Sequence, residues 1–159
     1  GARRKLPGLA ALAGRLPATS LVGAACGLSD HDNAGSIFRN AARDLPDLDT
    51  TEAALAGADL SLLSTSDEIE LIRLLGSWPR QVAAAARAHE PHRLAFYLHE
   101  LAAQFHAFWG KGKEDPSLRF VNDDDPKLTL ARLALVDGVR RVLGNGLDLL
   151  GVSAPQELS

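Results

Sequence analysis

The chain has 159 residues, 46% of them hydrophobic and 23% charged, with a formal net charge of -3. That size suffices for one ordinary domain that buries roughly two thirds of its unfolded surface without a metal or disulfide staple, and the net acidity excludes a polyanion binder that is basic all over. A single cysteine, Cys26, points to a reducing compartment, and no apolar run approaches the roughly 18 residues that a membrane span needs.

Aromatic residues make up only 5% of the chain and period-two runs of β-branched residues are absent, so the fold class expected is all-α, a helical bundle. Leu9, Leu12 and Leu16 between Pro7 and Pro17 predict one short helix. Asp32 is a candidate cap for a second, running through Ile37, Phe38 and Ala41 and stopped by Pro46. Residues 47–64 read as a short acidic linker that passes into a Leu-rich turn.

Thr65 followed three residues later by Glu68 is a capping box, and Ile69, Ile72 and Leu75, widened by Leu71, Leu74 and Trp78, predict the apolar stripe of a helix. Pro79 ends that helix or starts the next, which stops at His89-Glu90-Pro91. A further helix runs to Trp109 on a seam of Leu94, Leu98, Leu101 and Phe105. Residues 110–125 read as a polar loop pinned by Leu118, Phe120 and Val121. Asp125-Pro126 then supplies a cap and a first-turn proline for a long last helix with a core face of Leu128, Ala131, Leu135, Val139, Val142 and Leu149, closed by Gly151.

Among candidate chemical groups, His92, His99 and His106 lie seven residues apart on one helix. Seven residues span about 10.5 Å, too far for neighbours to share one ion, so they read as a polar stripe and no metal site is expected. Gly110-Lys111-Gly112-Lys113 lacks the spacing of a phosphate-cradling loop. Cys26 has no partner set for nucleophilic chemistry, so catalytic residues are expected to be none. The acidic run Asp123-Asp124-Asp125 reads as a solvated loop ending in a helix cap. What remains is Phe105, His106, Phe108 and Trp109 beside Lys111 and Lys113, aromatics next to cations, the arrangement by which proteins hold unpaired RNA bases and their phosphates. The competing reading makes these aromatics core at helical spacing.

The stretch His89-Glu90-Pro91-His92-Arg93-Leu94-Ala95-Phe96-Tyr97-Leu98-His99-Glu100-Leu101-Ala102, followed by Phe105-His106-Ala107-Phe108-Trp109, resembles the C-terminal anticodon-binding (DALR) domain of bacterial arginyl-tRNA synthetases. Residues 131–136, Ala-Arg-Leu-Ala-Leu-Val, resemble that domain's signature helix, and residues 141–152 its continuation. Upstream the likeness is looser: His31, Ser36 and Arg39 match, whereas Asn33 stands where the family has arginine. Residues 59–159 are therefore read as the core of the domain and residues 1–58 as a divergent N-terminal helical segment of it.

The resemblance implies a module that binds the anticodon loop of tRNA(Arg) and positions the tRNA for arginylation. It places base contacts on Phe105 and Trp109, with the apolar Leu158 nearby; Lys111, Lys113, Arg93 and Arg140 are candidate phosphate contacts. The expected partners are tRNA(Arg) and the catalytic domain of the same synthetase, with neither membrane nor DNA, in the cytoplasm. The family's ATP signatures are not in this sequence, so no cofactor is expected in the chain itself, and ATP and magnesium belong to the full-length enzyme. The lack of methionine, with Gly1 in first place, fits a piece of a longer chain. The alternative reading is a helical protein-interaction module derived from the same domain.

Overall fold

The computed structural model describes residues 33–151, and every regular element among them is helical. Helix α1 covers residues 33–44 and buries Ala34, Ile37 and Ala41, one face at helical spacing, before Pro46. Residues 47–64, expected to be a linker, carry more structure than that. Thr51 accepts a hydrogen bond from the backbone N–H of Ala54 (3.3 Å) and so caps the short α2, Glu52–Ala56. Asp59 caps a 3-10 turn over Leu60–Leu62, and Leu55 and Leu63 anchor both pieces in the core. The short helix at Pro7–Pro17 and Cys26 lie outside the described residues.

Helix α3 spans Ser66–Gly76, and Thr65 caps it by accepting from the Glu68 N–H at 3.3 Å. Only this half of the capping box forms. The Glu68 side chain turns inward and is fully buried with Leu71 and Leu74, which rotates Ile69 and Ile72 outward to 53% and 37% exposure. The predicted stripe is thus displaced by one residue, and the reason is electrostatic: Arg132 waits in the core for the Glu68 carboxylate.

Pro79 starts α4, Trp78–Ala88, as a first-turn proline, and His89 closes that helix in the left-handed region at φ 53°. Helix α5 runs from His92 to Glu114. Its seam of Leu94, Leu98, Leu101 and Phe105 is wholly buried. The helix does not stop at Trp109 as expected but continues through both glycines of the lysine-glycine stretch. Gly112 is buried there, and a Cβ on it would meet the Leu118 carbonyl and Arg119 Cα at 3.2 Å. A glycine in this position lets the following chain fold back against the helix instead of ending it.

After a 3-10 turn at Pro116–Leu118, Phe120 inserts into the core. Helix α6, Pro126–Leu149, begins as predicted: the Asp125 carboxylate accepts from the Leu128 N–H at 3.1 Å. Buried residues occur around most of its circumference, including Ala131, Leu133, Leu135, Val136, Val139, Leu143 and Leu147, which makes it the central helix. Leu128, Val142 and Leu149 are partly buried at its margins. Helices α2, α3 and α5 pack on α6, and α4 packs on α5. Gly151 follows α6 with φ 80°, its N–H donating to the Asp148 carbonyl.

Two devices fix the bundle laterally. Buried Tyr97 donates to the Leu74 carbonyl (2.6 Å) and stacks on Trp78 with centroids 5.6 Å apart; burial raises its phenol pKa above the ordinary value. Where α5 crosses α6, a Cβ on Gly146 would sit 2.5 Å from Leu98 Cδ2, and Leu98 is itself fully buried. Gly146→Ala is therefore expected to lower stability by about 1–3 kcal/mol through overpacking, despite alanine's better helix propensity. Gly110→Ala, with nothing within 4 Å of the added methyl, is expected to raise stability by up to about 1 kcal/mol. Urea unfolding midpoints of the two variants should move in opposite directions.

Candidate nucleic-acid interface

The C-terminal half of α5, one side of α1 and the chain after α5 enclose a cavity of about 620 Å³. Trp109, Gly112 and Lys113 line it from α5, Ile37, Asn40 and Asp44 from α1, and Pro116 with residues 119–124 form the remaining wall. Trp109 is half-buried and leans on the core, while the Lys113 ammonium sits 4.8 Å from its ring centroid. The His106 ring meets the same indole edge-on at 6.0 Å. The ammonium lies over the indole face as a cation–π pair, and an aromatic ring with a cation on it is the combination that can meet a base and its phosphate once the lysine swings aside.

The wall is fixed at three points. Arg119 Nε donates to the Gly112 carbonyl (3.1 Å), closing the turn onto α5. Thr129 Oγ1 accepts from the Asn122 N–H and donates to the Asn122 carbonyl, both at 2.9 Å. Arg132 Nη1 donates to the carbonyls of Ser117 (2.8 Å) and Arg119 (2.7 Å). Asp115 caps the turn, and its bonds from the Ser117 hydroxyl and backbone N–H hold its pKa below the usual carboxylate value. Across the cavity, a side-chain hydrogen bond from Arg43 lowers the Asp44 pKa in the same sense.

The lining is electrostatically mixed. Lys113 and Arg119 face a site that also holds Asp44, Asp123 and Asp124 and the amides of Asn40 and Asn122. Carboxylates and amides of this kind accept from and donate to base edges, so the site can combine stacking, edge recognition and one or two phosphate contacts.

Of the residues singled out from sequence, the fold brings Trp109 and Lys113 together here. Phe105 is elsewhere: it is 0% exposed, stacked on Phe120 at 5.7 Å between centroids, and belongs to the core. Lys111 is ion-paired to Asp67 of α3 at 2.8 Å and lies outside the cavity lining. Arg93 pairs with Glu90 sixteen residues before Trp109, about 24 Å back along α5. Arg140 binds Asp137 (2.9 Å) and covers the Phe38 ring at 5.1 Å. Leu158 lies outside the described residues. Asn40, Asp44, Arg119 and Asn122 carried no signal of their own in the sequence, because only the return of residues 116–124 onto α5 and α1 gathers them.

The other candidate groups disperse. His89 caps α4, His92 meets Phe96 edge-on at 6.1 Å, and among the described residues no three metal-ligating side chains come together. Residues 110–113 are helical and form no phosphate-cradling loop. No helix among the described residues is long and apolar enough to cross a membrane.

Residues 29–158 match the DALR anticodon binding domain, and the chain belongs to that family. The resemblance carried by residues 89–109 and 131–152 is thereby borne out, as is the all-helical architecture it implied among the described residues. More particularly, the chain is similar to arginine–tRNA ligases: 56% identical over 128 residues to that of Methylobacterium sp. (strain 4-46), 55% to that of Beijerinckia indica subsp. indica and 51% to that of Sinorhizobium medicae. Each alignment covers 80% of this chain and 22% of the relative, so the chain spans about a fifth of the length of these proteins.

The burial of Phe105 separates a core role from a base contact. Phe105→Ala should destabilise the fold by about 3–5 kcal/mol. Phe105→Leu, which keeps most of the apolar volume, should fold and hold RNA as the parent does; a folded Phe105→Leu variant with tenfold weaker binding would return this ring to the interface.

Proposed function

We propose that this chain is the tRNA(Arg)-binding module of an arginine–tRNA ligase, acting at the Trp109 cavity by recognition and positioning. The observation that carries the reading is the half-buried indole of Trp109 with the Lys113 ammonium over its ring, lining a cavity whose wall is fixed by hydrogen bonds. Family membership and the ligase relatives supply the class of RNA.

An anticodon loop exposes unstacked bases, and a base entering the cavity can replace the Lys113 ammonium on the indole face while the flexible lysine swings to the adjoining phosphate. The amides of Asn40 and Asn122 and the carboxylates of Asp44, Asp123 and Asp124 then meet its polar edge. Because the wall is formed before RNA arrives, little ordering is left to oppose binding. The net charge of -3 does not oppose this: residues 67–114 balance six acidic against six basic residues and add four histidines.

In the full-length ligase this module holds the tRNA while the catalytic domain of the same protein, with ATP and magnesium, charges the distant acceptor end. The module makes no bond itself. A cytoplasmic location follows from that role in translation. Arg93 and Arg140, both tied to carboxylates and remote from or beside the cavity, would at most steer the RNA.

Stacking on an aromatic contributes about 1–3 kcal/mol per base. Trp109→Ala is therefore expected to weaken tRNA(Arg) binding tenfold or more while circular dichroism still shows a folded domain; unchanged affinity would remove Trp109 from the site. Affinity should fall as salt rises, and Lys113→Ala should make that dependence shallower by about one counterion. Filter binding at several salt concentrations reads both.

A further inference from the structure

Glu68 and Arg132 form the one ion pair among the described residues with both side chains almost wholly buried, 1% and 3% exposed. Arg132 Nη2 and Nε donate to Glu68 Oε1 at 3.0 and 3.3 Å, but Glu68 Oε2 is buried without any hydrogen-bond partner. Two buried charges with an orphaned oxygen are a poor stabilising device, because apolar side chains of similar volume commonly serve a core as well or better. The remaining donor group of Arg132 is fully engaged. Nη1 grips the carbonyls of Ser117 and Arg119, the two residues around which the chain turns to become the cavity wall.

We infer that Arg132, neutralised in the core by Glu68, is a positioning residue for RNA recognition: it holds residues 116–124 at the distance from Trp109 that a base requires. The inference rests on the reading of the Trp109 cavity as the RNA site. A planar guanidinium suits the task, since one nitrogen spans two carbonyls while the other edge meets the carboxylate. Lysine has no such fork. Glu68 does not touch the wall; it lets a cation reside in the core at the point where the carbonyls must be held. Thr129, which holds Asn122 from the preceding turn of α6, is a second and independent clamp on the same wall.

The test separates holding the wall from holding the fold. The double variant Glu68→Met, Arg132→Met replaces the pair by apolar side chains, which keeps the core filled and removes both charges together. It is made beside Arg132→Lys and Trp109→Ala, all in a Trp78→Phe background so that emission reports Trp109 alone. The positioning role predicts that the double variant melts close to the parent, yet binds tRNA(Arg) at least tenfold more weakly and shows red-shifted Trp109 emission. If the double variant is unfolded at the assay temperature, Arg132→Lys is the deciding variant, with the same loss expected. A folded double or lysine variant that binds like the parent overturns the positioning role. If Trp109→Ala also binds like the parent, the cavity itself is not the RNA site; if Trp109→Ala is weakened and the double variant is not, only the positioning role fails.

Discussion

A buried carboxylate and guanidinium, 64 residues apart in the chain, organise this domain. Glu68 comes from the first turn of α3 and Arg132 from the second turn of α6, so their pairing sets how those two helices face each other. It also decides which residues of α3 are inside: with Glu68 drawn into the core, Leu71 and Leu74 follow it and Ile69 and Ile72 are left outside. From the same guanidinium two further bonds reach the turn after α5. Removing one partner alone would leave a buried unpaired charge, a loss of several kcal/mol in comparable sites, so the pair must be kept or replaced as a unit.

Around that pair the bundle is built from ordinary apolar packing, and the functional geometry comes from where packing is interrupted. Gly112 removes a side chain so that residues 118–119 lie directly on α5, and Gly146 does the same where α6 crosses Leu98. The first of these closes the cavity beside Trp109. Phe105 and Phe108 point into the core against Phe120, while Trp109, one position on, is half-buried and lines the cavity. One helix thus anchors the wall with two aromatics and sets the third in the cavity lining.

Much of this was legible in the sequence because it depends on local chemistry. Thr65, Asp125-Pro126 and Gly151 mark helix ends by capping, and the α5 seam shows in the spacing of its leucines. What escaped depends on distant partners. A glutamate three residues after Thr65 looks like the second half of a capping box, and nothing nearby announces that Arg132 will claim it. Two glycines among lysines suggest a loop, and only the fold-back of Leu118 and Arg119 explains a glycine inside a helix. Phe105 and Trp109 share an aromatic, cation-flanked stretch, yet burial divides them. The family motif pointed to the C-terminal half of α5, where Trp109 and Lys113 line the cavity; the cavity's polar rim, drawn from α1 and the chain after α5, had no linear signature.

The proposed meeting point of RNA and this domain is Trp109. The chain contains two tryptophans, and the fold sets them far apart in role: Trp78 of α4 stacks on Tyr97 of α5, while Trp109 lines the cavity. Their two indole N–H resonances, followed by NMR as the anticodon stem-loop of tRNA(Arg) is added, give a direct comparison within one sample. The account predicts that the Trp109 signal moves or broadens in step with binding and that the Trp78 signal stays in place. Binding that shifts Trp78 and leaves Trp109 unmoved would place the RNA on another face and contradict it.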